Sequence, residues 1–288
     1  MLKQLALISS LAATMLLNLS LPVRAQALLP HVVDLDAEQL TQQGLILAQE
    51  AAQLAQFQQY GLALPRAELA TQLAPNDAQV WSLLGSLYLQ LERVDEGISA
   101  LQRARSLDFE NPRILFALGS AYFRKEDYNR SIQYLESGLR LNPEVPGALF
   151  DLGNAHYMLA QYDQAIAQYE KAVELDEEFW PAINNIGLAL YEQGDVEGAL
   201  RQWREALSVD ETQAEPQLAI AVVLYAQGET DEAVVLGETA LRGDERYADP
   251  AFLRQNLWGD RLMTAAEAFL AVPRIQETVA QLTGRPQP

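Results

Sequence analysis

Apolar residues recur with a helical period in paired segments along most of this chain. Leu115, Leu118 and Tyr122 are three or four residues apart, which is the spacing of one helix face. A polar break at 126–127 separates them from a second apolar stripe. That stripe ends at Pro143, since proline cannot continue a helix interior. The pattern predicts two short helices joined by a tight turn.

The same helix pair returns with a fixed period of 34 residues. The first helices carry a glycine or alanine in register: Gly85, Gly119, Gly153, Gly187 and Ala221. The second helices carry two small positions in register: Gly97, Ser131, Ala165, Ala199 and Ala233, and Ala104, Gly138, Ala172, Ala206 and Ala240. A glycine inside a helix costs roughly 1 kcal/mol relative to alanine, so its repetition predicts a close approach of two helices. Gly119 is expected to face Ser131 or Gly138 of its own unit.

A helix–turn–helix unit with this period resembles the tetratricopeptide repeat (TPR) family over most of the chain. The resemblance implies an all-α fold, a right-handed α-α superhelix (TPR solenoid) of about six helical hairpins with a C-terminal helical cap. One hairpin cannot bury its apolar face alone, whereas stacked hairpins bury a continuous core.

The period divides the chain into a leader, a short entry segment, a repeat array and a tail. Residues 28–43 are expected to form a linker and the start of an N-terminal helix. The array spans 44–247 in six units: a degenerate 44–77, then 78–111, 112–145, 146–179, 180–213 and 214–247. In the last unit, Gly237 replaces a large residue, which predicts looser packing. Residues 248–288 predict short helices that cap the last hairpin, or alternatively a partner-docking element centred on Leu257 and Trp258.

Polar residues and prolines mark the expected helix starts. Asn111 and Asp249 each precede a proline, which combines an N-cap with a favoured first-turn residue. The second helices are expected to begin after the caps Asp95, Asn129, Asp163 and Asp231. Pro65 is expected in the first turn of the second helix of the degenerate unit.

Residues 1–27 are typical of an export signal. Lys3 gives a positive start, residues 5–21 are mostly apolar, and small residues permit cleavage after Ala25 or Ala27. The alternative is an uncleaved membrane anchor, although an apolar run of about 17 residues is short of the roughly 20 needed to span a bilayer. If this segment is cleaved, we expect the protein to be periplasmic, luminal or secreted.

The amino-acid composition limits the kinds of site and partner that this chain can have. The chain has no cysteine and two histidines, His31 and His156, which argues against disulfides and against a zinc site. A net charge of −19 argues against nucleic-acid binding. This acidity is more typical of solubility than of a basic partner, which is kept as an alternative. We expect no enzyme, no catalytic residue, no metal and no cofactor.

The family resemblance implies that the first helices line a concave face that binds peptides or protein segments. Matched onto this chain, the implied groove residues are Arg113, Phe116, Phe123, Arg124, Phe150, Asn154, Tyr157, Asn184, Tyr191 and Tyr225. The alternative is that these large residues mainly pack between units. The basic clamp with which some members grip acidic C-terminal tails is not assembled here, since Phe116, Asp151 and Asn184 occupy its places.

The sequence therefore predicts an exported scaffold that binds another protein or a peptide, with the oligomeric state left undetermined. The alternative function is an assembly factor or chaperone that acts on a membrane protein complex from the periplasmic or luminal side. The tail is similar to extensions on repeat proteins of cyanobacteria and plastids, so a photosynthetic complex is one version of that alternative.

Overall fold

The computed structural model describes residues 36–284, and all regular secondary structure in that part of the chain is helical. Twelve α-helices precede one 3₁₀ helix, and three α-helices follow it. The twelve are α1 Ala37–Gln56, α2 Tyr60–Leu73, α3 Ala78–Gln90, α4 Val94–Leu107, α5 Pro112–Arg124, α6 Tyr128–Leu141, α7 Pro146–Met158, α8 Tyr162–Leu175, α9 Trp180–Gln193, α10 Val196–Val209, α11 Ala214–Ala226 and α12 Thr230–Gly243. The 3₁₀ helix Glu245–Ala248 leads to α13 Pro250–Gln255, α14 Asp260–Leu270 and α15 Pro273–Thr283. The predicted signal segment and its cleavage sites lie outside the described residues.

Consecutive helices pair into six hairpins that stack on one another, which confirms the predicted all-α solenoid. The first helices α3, α5, α7, α9 and α11 begin 34 residues apart. The turn inside each hairpin holds a residue with positive φ at the same register position: Gln58, Glu92, Glu126, Ala160, Gly194 and Gly228. Every hairpin thus reverses its direction in the same way.

The helix starts differ from the sequence expectation in detail. Asn111 and Asp249 are N-caps as predicted, each accepting a backbone N–H two residues on. The second helices begin earlier than predicted, so Asp95 and Asp163 lie in the first helical turn rather than at the cap. There their charge still complements the helix dipole. Pro65 lies inside α2, because that helix already begins at Tyr60.

Large side chains of the second helices press onto the glycines of the first helices. A Cβ added at Gly119 would lie 2.5 Å from Leu135 Cγ, so Gly119 faces Leu135 and not Ser131 or Gly138 as predicted. Gly187 meets the indole of Trp203 in the same way, at 2.5 Å from its Nε1. Any side chain at these glycines would push the two helices apart.

In the last hairpin, the large residue that packs on the glycine comes from the C-terminal tail. Gly237 on α12 and Ala221 on α11 leave a space that Phe269 of α14 fills. The Phe269 ring is fully buried and lies 5.7 Å from the ring of Tyr225. The prediction of looser packing in this unit is therefore wrong, because the chain supplies the missing large side chain from 32 residues beyond Gly237.

The C-terminal segment, residues 245–284, covers two sides of the array's end. Helix α15 packs on α12, while α14 packs on the first helices α9 and α11. The predicted C-terminal cap is present, and it also reaches across the face that the first helices form. Within residues 36–284, no helix combines the length and apolarity needed to cross a membrane.

We predict that Phe269→Ala loosens α14 from the array. Replacing a buried phenylalanine by alanine removes about 3 to 5 kcal/mol of stabilisation. We expect a loss of this size in the free energy of urea unfolding, with faster hydrogen exchange at the α14 amides.

The matched control is Phe109→Ala, because that side chain is 71% exposed in the turn between α4 and α5. It should change the unfolding free energy by no more than about 0.5 kcal/mol. Equal effects of the two changes would show that Phe269 does not anchor the tail.

Candidate partner-binding groove

The first helices α3, α5, α7, α9 and α11 form one surface, which we call the first-helix face. Hydrogen bonds between side chains, or from a side chain to a backbone carbonyl, cross it from helix to helix. They run from Arg124 Nη1 to Leu89 O at 2.6 Å, from Ser120 Oγ to Asp151 Oδ2 at 2.6 Å and from Asn185 Nδ2 to Asn154 Oδ1 at 3.0 Å. Because each bond joins neighbouring units, the spacing of α3, α5, α7 and α9 is fixed before any partner arrives.

Three predicted aromatic residues lie half-buried on this face. Phe116 on α5 packs against the backbone of Gly138, where an added Cβ would overlap its ring. The Phe123 ring is 5.3 Å from Tyr128, and the Phe150 ring is 5.4 Å from Phe179. Packing therefore covers part of each ring and leaves the rest accessible. A role in binding stays a prediction for them.

The polar residues predicted beside these rings are also accessible. Arg113 and Arg124 are exposed, and Asn154 is half-buried. Arg124 also acts electrostatically on Asp151, whose pKa is raised by burial and lowered in part by the Ser120 hydrogen bond and by Arg124. The positive charge of Arg124 in the groove is therefore partly neutralised by Asp151.

Four predicted site residues are buried, which corrects the expectation that they are open to a partner. Tyr157, Asn184, Tyr191 and Trp258 are at most 6% exposed. The guanidinium of Arg261 lies 5.0 Å from the Tyr191 ring centroid, and the centroid of the Trp203 ring lies 6.0 Å from it. The C-terminal segment thus occupies part of the face that was expected to bind a partner.

Tyr225 and Leu257 are partly covered and partly accessible. Tyr225 is half-buried because Phe269 packs against its ring. Leu257 is half-buried, has a φ of 64°, and joins α13 to α14. Of the predicted tail-docking pair, Leu257 keeps some exposure, whereas Trp258 belongs to the core.

Glu192 of α9 holds the start of α14. Its two carboxylate oxygens accept the backbone N–H groups of Arg261 and Leu262 at 3.1 and 3.0 Å. The first N–H groups of a helix lack partners within that helix, and a carboxylate there is also favoured by the helix dipole. Since the N-cap residue Gly259 has no side chain to do this, α14 is capped by another element of the fold.

Glu215 of α11 is a second carboxyl that binds the tail, and it is buried. Trp258 Nε1 donates to its Oε1 at 3.1 Å, and Tyr247 Oη donates to its Oε2 at 3.3 Å. Burial raises the pKa of Glu215 from the ordinary 4.5 to about 7, although bonds from Trp258, Asn184 and Tyr247 oppose the rise. Near neutral pH this carboxyl therefore exists in both protonation states.

A cavity of about 300 Å³ lies between the first-helix face and the C-terminal segment. Its lining residues are Phe123, Phe150, Asn154, Trp180, Pro181, Asn184, Asn185, Glu215, Tyr247, Gln255, Asn256 and Leu257. Such a volume is at the lower end of ligand pockets and suits one or two side chains. None of these twelve residues is a serine, threonine, histidine or cysteine, so the cavity favours binding over nucleophilic chemistry.

Three asparagines in the lining of this cavity are joined by hydrogen bonds. Asn154 Oδ1 accepts from Tyr169 Oη at 2.8 Å and from Asn185, and Asn185 Oδ1 accepts from Asn184 Nδ2 at 3.2 Å. Asn184 is 1% exposed, yet its Oδ1 has no hydrogen-bond partner. An unpartnered buried acceptor is costly, which makes it a position to examine for a missing donor.

Sequence reasoning missed Glu192, Glu215 and Phe269. A signal was available for the two acids, since Glu192 stands two repeats after Arg124 and Glu215 stands three repeats after Arg113. The groove positions thus change from basic to acidic along the array. Nothing local to Phe269 indicates its role, because its space is created by Gly237 on another helix.

The comparisons with known proteins agree with this geometry. Residues 31–178 match a family model described as the cytochrome c-type biogenesis protein H TPR domain, and residues 187–228 match a TPR repeat model. The chain belongs to the tetratricopeptide repeat family. As a TPR protein, it is expected to work through the surfaces of its helical hairpins, while the site itself must identify the partner.

Solved structures show the same fold at low sequence identity. MamA from Desulfovibrio magneticus RS-1 is similar with a TM-score of 0.55 and 16% identity, covering 59% of this chain and 97% of that one. YrrB, described as a TPR protein with an unusual peptide-binding site, gives 0.53 and 20%, covering 67% and 100%. A chain of the Cut9–Hcn1 hetero-tetramer of the APC/C gives 0.61 and 17%, covering 73% of this chain and 42% of that one. No curated protein sequence matches.

We predict that Glu215 makes stability depend on pH. Its pKa is higher in the folded chain than in the unfolded one, so the folded chain holds the proton between about pH 4.5 and 7. The contribution is full below that window and is lost as the pH rises through it. The loss is on the order of 3 kcal/mol for a shift of this size.

The measurement is urea unfolding between pH 4 and 8 for the wild type and Glu215→Gln. Because glutamine does not titrate, the variant should lack this part of the decline. The difference between the two curves isolates Glu215 from the other carboxyls of this acidic chain. Parallel curves would mean that Glu215 does not titrate in this range.

Proposed function

We propose that this TPR protein is an exported, non-enzymatic scaffold that binds a peptide or protein segment on the open part of its first-helix face. The observation that carries the proposal is the half-buried position of Phe116, Phe123 and Phe150 on α5 and α7. Aromatic side chains with one packed side and one accessible side are typical anchors for a partner.

The open part lies on α3, α5 and α7, because the C-terminal helices pack on α9, α11 and α12. The partner would meet the three phenylalanines, with Arg113 and Arg124 at the exposed edge. The hydrogen bonds that join these helices order the groove in advance, which lowers the entropic cost of binding. YrrB, with its described peptide-binding site, supports this use of the fold by analogy.

The second candidate function is assembly of a membrane protein complex. The match to a TPR domain of a cytochrome c-type biogenesis protein favours it, because that protein is named for a biogenesis process. In this version the groove holds a subunit only until the complex is complete, and a photosynthetic complex is one candidate. Association with immature subunits would favour assembly, whereas a stable stoichiometric complex would favour the scaffold.

Export is part of both proposals. It depends on the signal pattern in residues 1–27, with cleavage after Ala25 or Ala27. The absence of cysteine fits an oxidising compartment. The destination would be the periplasm, an organelle lumen or the exterior.

We predict that Phe123→Ala weakens capture of the partner from the native host. Removing an aromatic anchor costs on the order of 2 kcal/mol, or roughly thirtyfold in affinity. The measurement is quantitative co-purification with mass spectrometry, which would also report an N-terminal peptide beginning at Gln26 or Leu28 if the signal is cleaved.

The matched control is Phe109→Ala, which makes the same chemical change at an exposed site outside the groove. It should retain the partner. If Phe123→Ala and Phe109→Ala captured the same amount, the groove would not be the binding site. A peptide beginning at Met1 would contradict cleavage.

A further inference from the structure

The cavity beside Glu215 combines hydrogen-bond acceptors with aromatic walls. The unpartnered Oδ1 belongs to Asn184, and Glu215 supplies a buried carboxyl that accepts from Trp258, Tyr247 and Asn184 and still has a free lone pair. Rings of Phe123, Phe150 and Trp180 form part of the wall. No lysine or arginine is among the lining residues. The lining residues therefore supply no positive charge, and no donor reaches Asn184 Oδ1.

We propose that the cavity takes an arginine side chain from the bound partner segment, an inference that rests on the proposed function. The guanidinium would lie against the aromatic walls and donate to Asn184 and Glu215. The partner's backbone would then lie along the open first-helix face, where Phe123 belongs both to the groove and to the cavity.

Arginine fits this lining better than the other side chains. Its planar guanidinium has five N–H donors, stacks on aromatic rings and is more weakly hydrated than an ammonium group. It would provide the donor that Asn184 Oδ1 lacks. A net charge of −19 on the chain would also attract a basic segment before contact.

The groups around Glu215 make the interaction sensitive to pH. Trp258, Tyr247 and Asn184 contact its carboxyl, and none of them titrates near neutral pH. Beyond Tyr247, Asp244 and Arg246 pair with each other at 2.6 Å. Since the pKa of Glu215 is about 7, its ionised fraction is roughly one tenth at pH 6 and nine tenths at pH 8. An arginine that needs the carboxylate should bind about tenfold more tightly at pH 8.

The test uses the full chain and two peptides, acetyl-Ala-Ala-Arg-Ala-Ala-amide and the same peptide with citrulline in place of arginine. Citrulline keeps the shape and loses the charge. We expect at least tenfold tighter binding of the arginine peptide at pH 8, measured by ligand-observed NMR titration. Glu215→Gln should abolish that preference and its dependence on pH.

The control variant is Glu170→Gln, which makes the same change of charge at an exposed position on α8. It should leave the preference intact. Circular dichroism would verify folding, and Asn184→Leu provides a second change in the cavity if Glu215→Gln disturbs the tail. It should weaken the arginine peptide by about tenfold or more.

Several results would overturn the inference. Equal binding of both peptides would exclude recognition of the charge, and an equal loss with Glu170→Gln would reduce it to general acidity. Equal binding of a peptide with lysine in place of arginine would show that the cavity does not select arginine. If Phe123→Ala loses the natural partner and Glu215→Gln retains it, the arginine site is wrong and the proposed function stands. If both variants retain the partner, both proposals fail.

Discussion

The close approach of two helices over a glycine is the constraint on which this structure depends. In each hairpin from the second to the fifth, a large residue of the second helix presses on the first helix where no side chain stands. This contact fixes the distance between the helices, and the distance sets the spacing of the first helices along the array. The groove residues therefore owe their positions to glycines that no partner would touch.

In the last hairpin, the large residue that packs over the glycine comes from the C-terminal segment and not from the hairpin itself. Small residues on both helices leave a space, and Phe269 enters it from α14. Once α14 is there, Glu192 and Glu215 can bind its start and the indole before it. Positions that would otherwise be open to a partner bind the C-terminal segment, and the accessible groove is confined to the earlier helices.

The hairpins and their register could be predicted from the sequence, because the period of 34 residues is a local signal that repeats. Phe116, Phe123 and Phe150 could be placed on the first-helix face for the same reason. The burial of Tyr157, Asn184, Tyr191 and Trp258 could not, since it depends on contacts such as Glu192 with Leu262, 70 residues apart. The second helices predicted to start after Asp95, Asn129, Asp163 and Asp231 begin two residues earlier than the sequence predicts, because several polar residues near each turn can cap.

The capping of α14 by Glu192 has a consequence for how the chain unfolds. A linear repeat array is coupled only between neighbours, and it frays from its ends. Here α14 contacts both α9 and α11, so it ties the last two hairpins into one cooperative block. Among residues 36–284, no helix ties the first hairpin in this way, and that hairpin exposes apolar side chains such as Phe57 and Leu62, at 71% and 57%. Loss of structure should therefore begin in the first hairpin, α1 and α2, and reach the cavity last, which hydrogen exchange would reveal as slower amides in α9 than in α2.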